Sequence, residues 1–154
     1  MKKLFFDNPS SLAAADPSLD VVQADEILEA IRFLAEHDLI GAVETVGTID
    51  RDASLIVSRE YTAQLLRHLA DLASGITVEI RIDKNELLIS AAKDGGDFSL
   101  NDAMKISRRA FLSGFEAELS DGRIILRAET SDRRALTVYA PDGIRLVKCL
   151  KKYV

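Results

Sequence analysis

The chain has 154 residues, an apolar share of 47% and a net charge of −5, which fits one domain that buries its own core. No basic run is longer than Lys151-Lys152, which argues against a nucleic-acid surface and an anionic membrane surface. Cys149 is the only cysteine, so no intrachain disulfide is expected. The apolar start at 4–6 is shorter than the roughly 7–15 residues of a signal peptide, and we expect a cytoplasmic protein.

The first part of the chain predicts a lead-in and a helix. Residues 7–19 are rich in Pro, Ser, Ala and Asp, which predicts that 1–20 is a mobile lead-in to one domain over 21–154. Asp20 and Gln23 have the spacing of a capping box. The apolar period then predicts a helix over about 23–37. Its inward side chains are expected to be Ile27, Ile31 and Leu34.

A second helix follows two weaker strand signals. Residues 39–49 alternate only weakly and predict a poorly defined strand or loop, whereas 54–57 predicts a short strand. Ser58 has the chemistry of an N-cap for a helix over about 59–74, and Gly75 stands where a helix ends. The expected apolar face of this helix consists of Tyr61, Leu65, Leu66, Leu69 and Leu72.

Two hairpins enclose a third helix. Residues 76–82 alternate with period two and predict a strand that returns over 87–92. Ser99 and Asp102 form a capping signal for a helix over about 100–113, with Ala103, Ile106, Ala110 and Phe111 expected to face inward and Gly114 expected to end it. The strands 115–120 and 123–129 then flank Asp121-Gly122, a pair that favours a tight hairpin turn.

A C-terminal extension over about 131–154 is expected to add a strand at 135–140, and the tail 144–154 to be a strand or a short helix. Amphipathic helices combined with half-polar strands predict an α/β (α+β) two-layer sandwich. Its sheet is expected to be mixed and largely antiparallel, with the helices packed on one face. An unpaired strand edge at 135–140 also makes a homodimer a candidate assembly.

Three segments carry a family resemblance: QLLRHL at 64–69, ITVEIRIDKNELLISAAKDGG at 76–96 and ISRRAFLSGFEAELSDGRIILRAE at 106–129. In this order they resemble the ATP-binding domain of sensor histidine kinases, the GHKL or Bergerat fold. The resemblance covers about 23–130. It implies a nucleotide site behind a glycine-bearing loop and a place in bacterial signalling.

The resemblance assigns the adenine contact to an aspartate that opens a D-x-G-x-G loop. Lys93 to Asp97 is the matching stretch here. With a register shift of one, Asp94 fills the aspartate position, and the second glycine position falls on Phe98. The candidate nucleotide-binding residues are therefore Asp94, Gly95 and Gly96.

Two further elements of the family depart from its pattern. An asparagine on the second helix would hold Mg²⁺, but His68 and Leu72 occupy the candidate positions, and a leucine offers no oxygen to a hard cation. A glycine-rich lid would cover the phosphates, but few residues separate Gly96 from Ser99. We therefore expect no bound ATP, ADP or Mg²⁺, no metal site and no catalytic residue.

Other reactive residues have plainer interpretations. His68 is a candidate phosphorylated or metal-binding histidine, and His37 a candidate ligand, but neither has partners at metal-ligand spacing, so a surface position is favoured and no phosphoacceptor is assigned. Cys149 is a candidate nucleophile whose pKa Lys148 and Lys151 would lower; packing in the core is favoured. The pairs 108–109 and 133–134 are candidate phosphate sites or solvated arginines.

Three functions follow. The first is a non-catalytic regulatory or protein-interaction module on a degenerate histidine-kinase-type ATPase fold, with an unidentified protein partner. The second is a nucleotide-binding protein that keeps the adenine contact through Asp94. The third is an unrelated α+β domain. Nucleic acid and membrane are not expected as partners in any of them.

Overall fold

The computed structural model describes residues 20–72, 75–83, 85–130 and 145–154. The helices are α1 (Ala24–Glu36), α2 (Arg59–Asp71), α3 (Leu100–Ser113) and α4 (Leu146–Leu150), and a 3₁₀ turn follows at Lys151–Tyr153. The strands are β1 (Asp20–Gln23), β2 (Ala42–Thr45), β3 (Ser54–Val57), β4 (Ile76–Ile82), β5 (Glu86–Lys93), β6 (Glu116–Ser120) and β7 (Arg123–Glu129). Of the lead-in expected over 1–20, the structure describes only Asp20, which begins β1. The rest of it and the expected strand 135–140 lie outside the described residues.

Five strands form one mixed sheet in the order β2-β4-β5-β7-β6. Strand β2 runs parallel to β4, and the other three pairings are antiparallel. Strands β1 and β3 form a separate antiparallel pair. The weak signal at 39–49 thus yields a short parallel edge strand, and the expectation of a largely antiparallel mixed sheet is confirmed.

The helices cover one face of this sheet, because alternate strand residues point into a single core. Ile80 and Ile89 are opposite each other on β4 and β5, and Leu126 continues the row on β7. All three are fully buried with the inward side chains of the helices. The expected two-layer α+β architecture is confirmed. Ile27, Ile31 and Leu34 belong to the same core, as their spacing predicts.

The predicted caps begin two helices. The hydroxyl of Ser58 accepts a hydrogen bond from the Tyr61 amide at 3.1 Å. At α3, the Ser99 hydroxyl accepts from the Asp102 amide, and the Asp102 carboxylate accepts from the Ser99 amide, both at 3.1 Å. These side chains satisfy amides that the first turn of a helix leaves without a partner.

Residues with positive φ end α3 and form the turn of the second hairpin. Gly114 follows α3 with φ +102°, and a Cβ there would lie 2.9 Å from the Ile56 carbonyl oxygen. Asp121 and Gly122 have φ of 52° and 76°, the pattern of a tight two-residue hairpin turn. Both predictions from the sequence are confirmed.

Two predicted inward residues point outward instead. Phe111 is 60% exposed and Tyr61 is 36% exposed. Successive helical residues are about 100° apart, so Phe111 lies about 100° around α3 from the buried Ala110. Tyr61 likewise stands beside, not on, the buried stripe of α2 that contains Leu65 and Leu69. Helix α2 also ends at Asp71, earlier than expected, with Leu72 at its C-cap.

The predicted capping box at the start of α1 is wrong. Gln23 occupies the N-cap position without a side-chain hydrogen bond to the helix. Asp20 lies in β1 and accepts a hydrogen bond from the Arg59 amide at 3.1 Å. A long-range contact to α2 therefore replaces the local cap that the spacing indicated.

Of the two forms considered for the tail, the structure shows a helix. Leu146 and Leu150 of α4 are fully buried, and α4 packs against α1 and α2. No helix among the described residues is long and apolar enough to span a membrane.

Candidate functional site

The loop that follows β5 contains the three candidate residues. The Asp94 amide donates to the Gly75 carbonyl at 2.9 Å, which extends the β4–β5 ladder by one bond. An added Cβ at Gly75 would lie 2.7 Å from Asp94 Oδ2. Only a glycine at position 75 leaves this space, so the Asp94 side chain lies directly beside the entry to β4. Asp94 itself is exposed.

Gly95 and Gly96 complete the turn. Gly95 has φ +72°, a conformation that glycine adopts without steric cost. Both glycines are exposed, and a Cβ at either would meet no atom within 4 Å. The structure thus places Asp94, Gly95 and Gly96 in one exposed turn at the end of β5. The positive φ explains why position 95 is a glycine. Close packing explains the glycine at neither position, because a Cβ would have open space at both.

The segment between this turn and α3 is held against the second hairpin. The Phe98 amide donates to the Gly122 carbonyl at 2.9 Å, and Phe98 is 3% exposed. The Asp97 carboxyl occupies the position where a Cβ at Gly122 would stand. With Phe98 buried and Ser99 capping the helix, the chain from Gly96 to α3 runs directly and leaves no loop long enough to fold over a ligand.

His68 lies half-buried on α2, on the side toward α3. Burial lowers the pKa of its imidazole, and the positive charges of Arg109 and Lys105 lower it further, whereas Asp71 opposes them. The Asp71 carboxylate pairs with Arg67 at 2.7 Å. Within the described ranges, no three His, Cys, Asp or Glu side chains are grouped so as to hold a metal ion.

The surroundings of the other two candidates, His37 and Cys149, are those of residues with packing roles. His37 is exposed, and its ring lies 4.1 Å from the Phe33 ring, centroid to centroid. Cys149 is buried, and this burial, followed by the charge of Glu60, raises its thiol pKa. The expected lowering by Lys148 and Lys151 is therefore wrong, because both lysines are exposed and solvent screens their charges.

The paired arginines differ. Arg108 is exposed and Arg109 half-buried on α3, whereas 133–134 lie outside the described residues.

A shallow, open depression of about 310 Å³ lies elsewhere, on the outer side of α1, lined by Asp25, Glu29, Arg32 and Arg51 among others. It contains none of the candidate residues and is lined mainly by charged side chains.

Two features were not predicted from the sequence. Glu26 and Arg59 form a buried ion pair with N···O contacts of 3.0 and 3.1 Å, and no local pattern pairs residues so distant in sequence. The second is an exposed apolar surface on α3, where Leu100, Met104, Phe111 and Leu112 are 51–67% exposed. Plotting α3 at about 100° per residue would have found it.

No protein-family model and no curated protein matches this sequence. Solved structures do resemble it. The catalytic domain of histidine kinase ThkA, in a nucleotide-free form, is 15% identical over 74% of this chain and 96% of that chain, with a TM-score of 0.49. The cytoplasmic segment of histidine kinase QseC is 12% identical over 83% of this chain and 97% of that chain, with a TM-score of 0.45.

A third structure is ThkA in complex with the response regulator protein TrrA, 14% identical over 72% of this chain and 41% of that chain, with a TM-score of 0.48. All three contain histidine kinases, the family whose ATP-binding domain the sequence resembles. At these identities and TM-scores, the likeness assigns no function to this chain.

Proposed function

We propose that this chain is a non-catalytic, cytoplasmic protein-interaction module in bacterial signalling, built on a histidine-kinase-type fold that has lost its nucleotide chemistry. The exposed apolar surface of α3 carries the proposal. Leu100, Met104 and Phe111 are 67%, 56% and 60% exposed. Apolar side chains grouped on one exposed helix face favour contact with another protein.

The candidate nucleotide loop supports the same function. Leu72 and His68 stand where the family has its metal-binding asparagine, and neither offers an oxygen to Mg²⁺. The direct, anchored path from Gly96 to Ser99 provides no cover for phosphates. Both features weaken the case for ATP turnover.

Isothermal titration of the chain with Mg·ATP tests the loss of nucleotide binding. We expect no saturable heat up to millimolar nucleotide. Binding with a micromolar Kd would overturn the proposed function, because the module would then hold the nucleotide whose chemistry it is proposed to have lost.

A second candidate is nucleotide binding through Asp94 without turnover. The observation that favours it is the exposed Asp94 carboxyl at the end of β5, where the Asp94 amide donates a hydrogen bond to the Gly75 carbonyl. A bound nucleotide would raise the melting temperature by mass action. If ATP or ADP stabilises the wild type and Asp94→Asn equally, Asp94 makes no adenine contact and this candidate fails.

A further inference from the structure

The apolar surface of α3 has a defined direction along the helix. Leu100, Met104 and Phe111 fall within about 40° of one another at 100° per residue, so they form one stripe, which we call the α3 stripe. It spans 11 residue steps, or about 16 Å at 1.5 Å per residue. The buried residues Ala103, Ile106 and Ala110 lie on a face about 110° around the helix from the stripe, and they anchor α3 in the core.

Positive charge flanks this stripe on one side. Lys105 and Arg108 are exposed, and Arg109 is half-buried. At 100° per residue, Arg108 lies about 60° and Lys105 about 120° around α3 from the centre of the stripe, both on the same side, whereas Arg109 lies nearly opposite the stripe. The only acidic residue of α3 is Asp102, whose carboxylate accepts the Ser99 amide as part of the N-terminal cap.

The basic side chains of α3 differ from the arginines of the sheet in their ion pairing. Arg81, Arg123 and Arg127 each pair with a glutamate of the same sheet at 2.9, 3.5 and 2.8 Å. Among the residues that the structure describes, no carboxylate lies within 4.0 Å of the Lys105, Arg108 or Arg109 side-chain nitrogens. On a chain of net charge −5, α3 therefore presents a local positive flank.

We propose that the α3 stripe and its basic flank bind an amphipathic helix of a partner protein that has acidic residues along one side. This inference rests on the proposed function and specifies its partner. The length of the stripe fits about three helical turns of the partner. Apolar side chains supply the buried contact, and Lys105 and Arg108 select an acidic partner and its orientation.

The surroundings of α3 favour a helix over a membrane surface. Helix α3 packs against the edge strand β6, where Glu116 and Glu118 are exposed. A broad anionic bilayer that approached α3 would also meet these carboxylates and the negative charge of the whole chain. A helix about 10 Å wide can contact α3 without covering β6.

Fluorescence anisotropy with two synthetic 14-residue helices tests the proposal. Both carry leucine at i, i+4, i+7 and i+11; one has glutamates on one flank and the other has lysines there. We expect the acidic helix to bind and the basic helix to bind at least about tenfold more weakly. Met104→Glu with Phe111→Glu should abolish binding of the acidic helix.

Charge reversal separates the two parts of the surface. Lys105→Glu with Arg108→Glu should reverse the preference, so that the basic helix binds more tightly than the acidic one. Val46→Glu is the matched control, because Val46 is 44% exposed on a different part of the chain, and it should change neither affinity. Thermal melts confirm that each variant is folded.

Three outcomes would overturn the inference: no binding of the acidic helix, equal binding by the α3 variants, or binding only to phosphatidylserine vesicles. These failures differ from failure of the proposed function. Micromolar Mg·ATP binding would sink the interaction module itself, whereas loss of peptide binding alone would leave the module with a partner of different chemistry.

Discussion

At the scale of single residues, the buried charges of Glu26 and Arg59 organise the N-terminal half of the domain. Their side chains are 5% and 8% exposed, and two N···O contacts join them. Glu26 also accepts the Leu146 amide at 3.0 Å, and Arg59 donates to the Val21 carbonyl at 3.2 Å. One ion pair thus connects β1, α1, α2 and α4.

Glu26→Gln should lower the free energy of unfolding by about 3 kcal/mol, because Arg59 would remain buried without its countercharge. Urea denaturation measures this loss. Glu86→Gln is the matched control: its pair with Arg81 is 31% and 47% exposed, so it should cost less than about 1 kcal/mol. Adding Arg59→Met to Glu26→Gln should recover part of the stability, and no recovery would contradict the charge explanation.

Gly114 tests the close approach of α3 to β3. Gly114→Ala combines a φ of +102° with a Cβ only 2.9 Å from backbone oxygen, so we expect a loss of about 2–4 kcal/mol in unfolding free energy. At Gly47, φ is +68° but nothing lies within 4 Å of a Cβ. Gly47→Ala should therefore cost only about 1–2 kcal/mol, and equal losses would rule out the steric contact.

At the scale of elements, the α3 cap is the clearest local signal in the chain. Accepting the Ser99 amide lowers the pKa of the Asp102 carboxyl. A lowered folded pKa means that this contribution to stability is full above the unfolded value of about 4 and is lost as pH falls through the folded value.

Ser99→Ala should lower stability by about 1 kcal/mol at neutral pH, since an N-cap hydroxyl is lost. Asp102→Asn should remove part of the decline in stability below about pH 4. Melting temperatures measured from pH 7 to pH 2 would show this as a shallower acid limb. An acid limb identical to that of the wild type would mean that the Asp102 contact does not form.

Local chemistry therefore predicts most elements, and tertiary contacts explain the exceptions. Ser58, the Ser99–Asp102 box and Asp121-Gly122 fix boundaries because their hydrogen bonds and dihedral angles are local. The contact of Asp20 could not be predicted from local sequence, because its partner Arg59 is 39 residues away. The Asp94–Gly96 turn follows from glycine content, but its surroundings depend on Gly75, which pairing between β4 and β5 brings close.

At the scale of the whole molecule, the C-terminus is part of the core. The Tyr153 hydroxyl donates to Glu60 at 2.5 Å and accepts from Gln64 at 3.1 Å, and Arg67 donates to the Tyr153 carbonyl at 2.8 Å. These contacts attach the last turn to the side of α2. Residues 145–154 therefore complete the helical layer over the sheet.

Leu150→Ala should lower the free energy of unfolding by about 2–5 kcal/mol, because Leu150 is fully buried and its loss leaves a cavity. Val154 is 51% exposed, and Val154→Ala is the control, with a change within about 0.5 kcal/mol. Similar values for the two variants would show that α4 does not belong to the cooperative unit.

The proposed loss of nucleotide binding is tested most directly at the exposed loop at the end of β5, where a nucleotide would have to bind. A ¹H–¹⁵N correlation spectrum of the chain, recorded while Mg·ATP is added, observes the amides of Asp94, Gly95 and Gly96 directly. We expect these signals not to move up to millimolar nucleotide. Saturable shifts at these three amides with a micromolar midpoint would contradict the proposed loss.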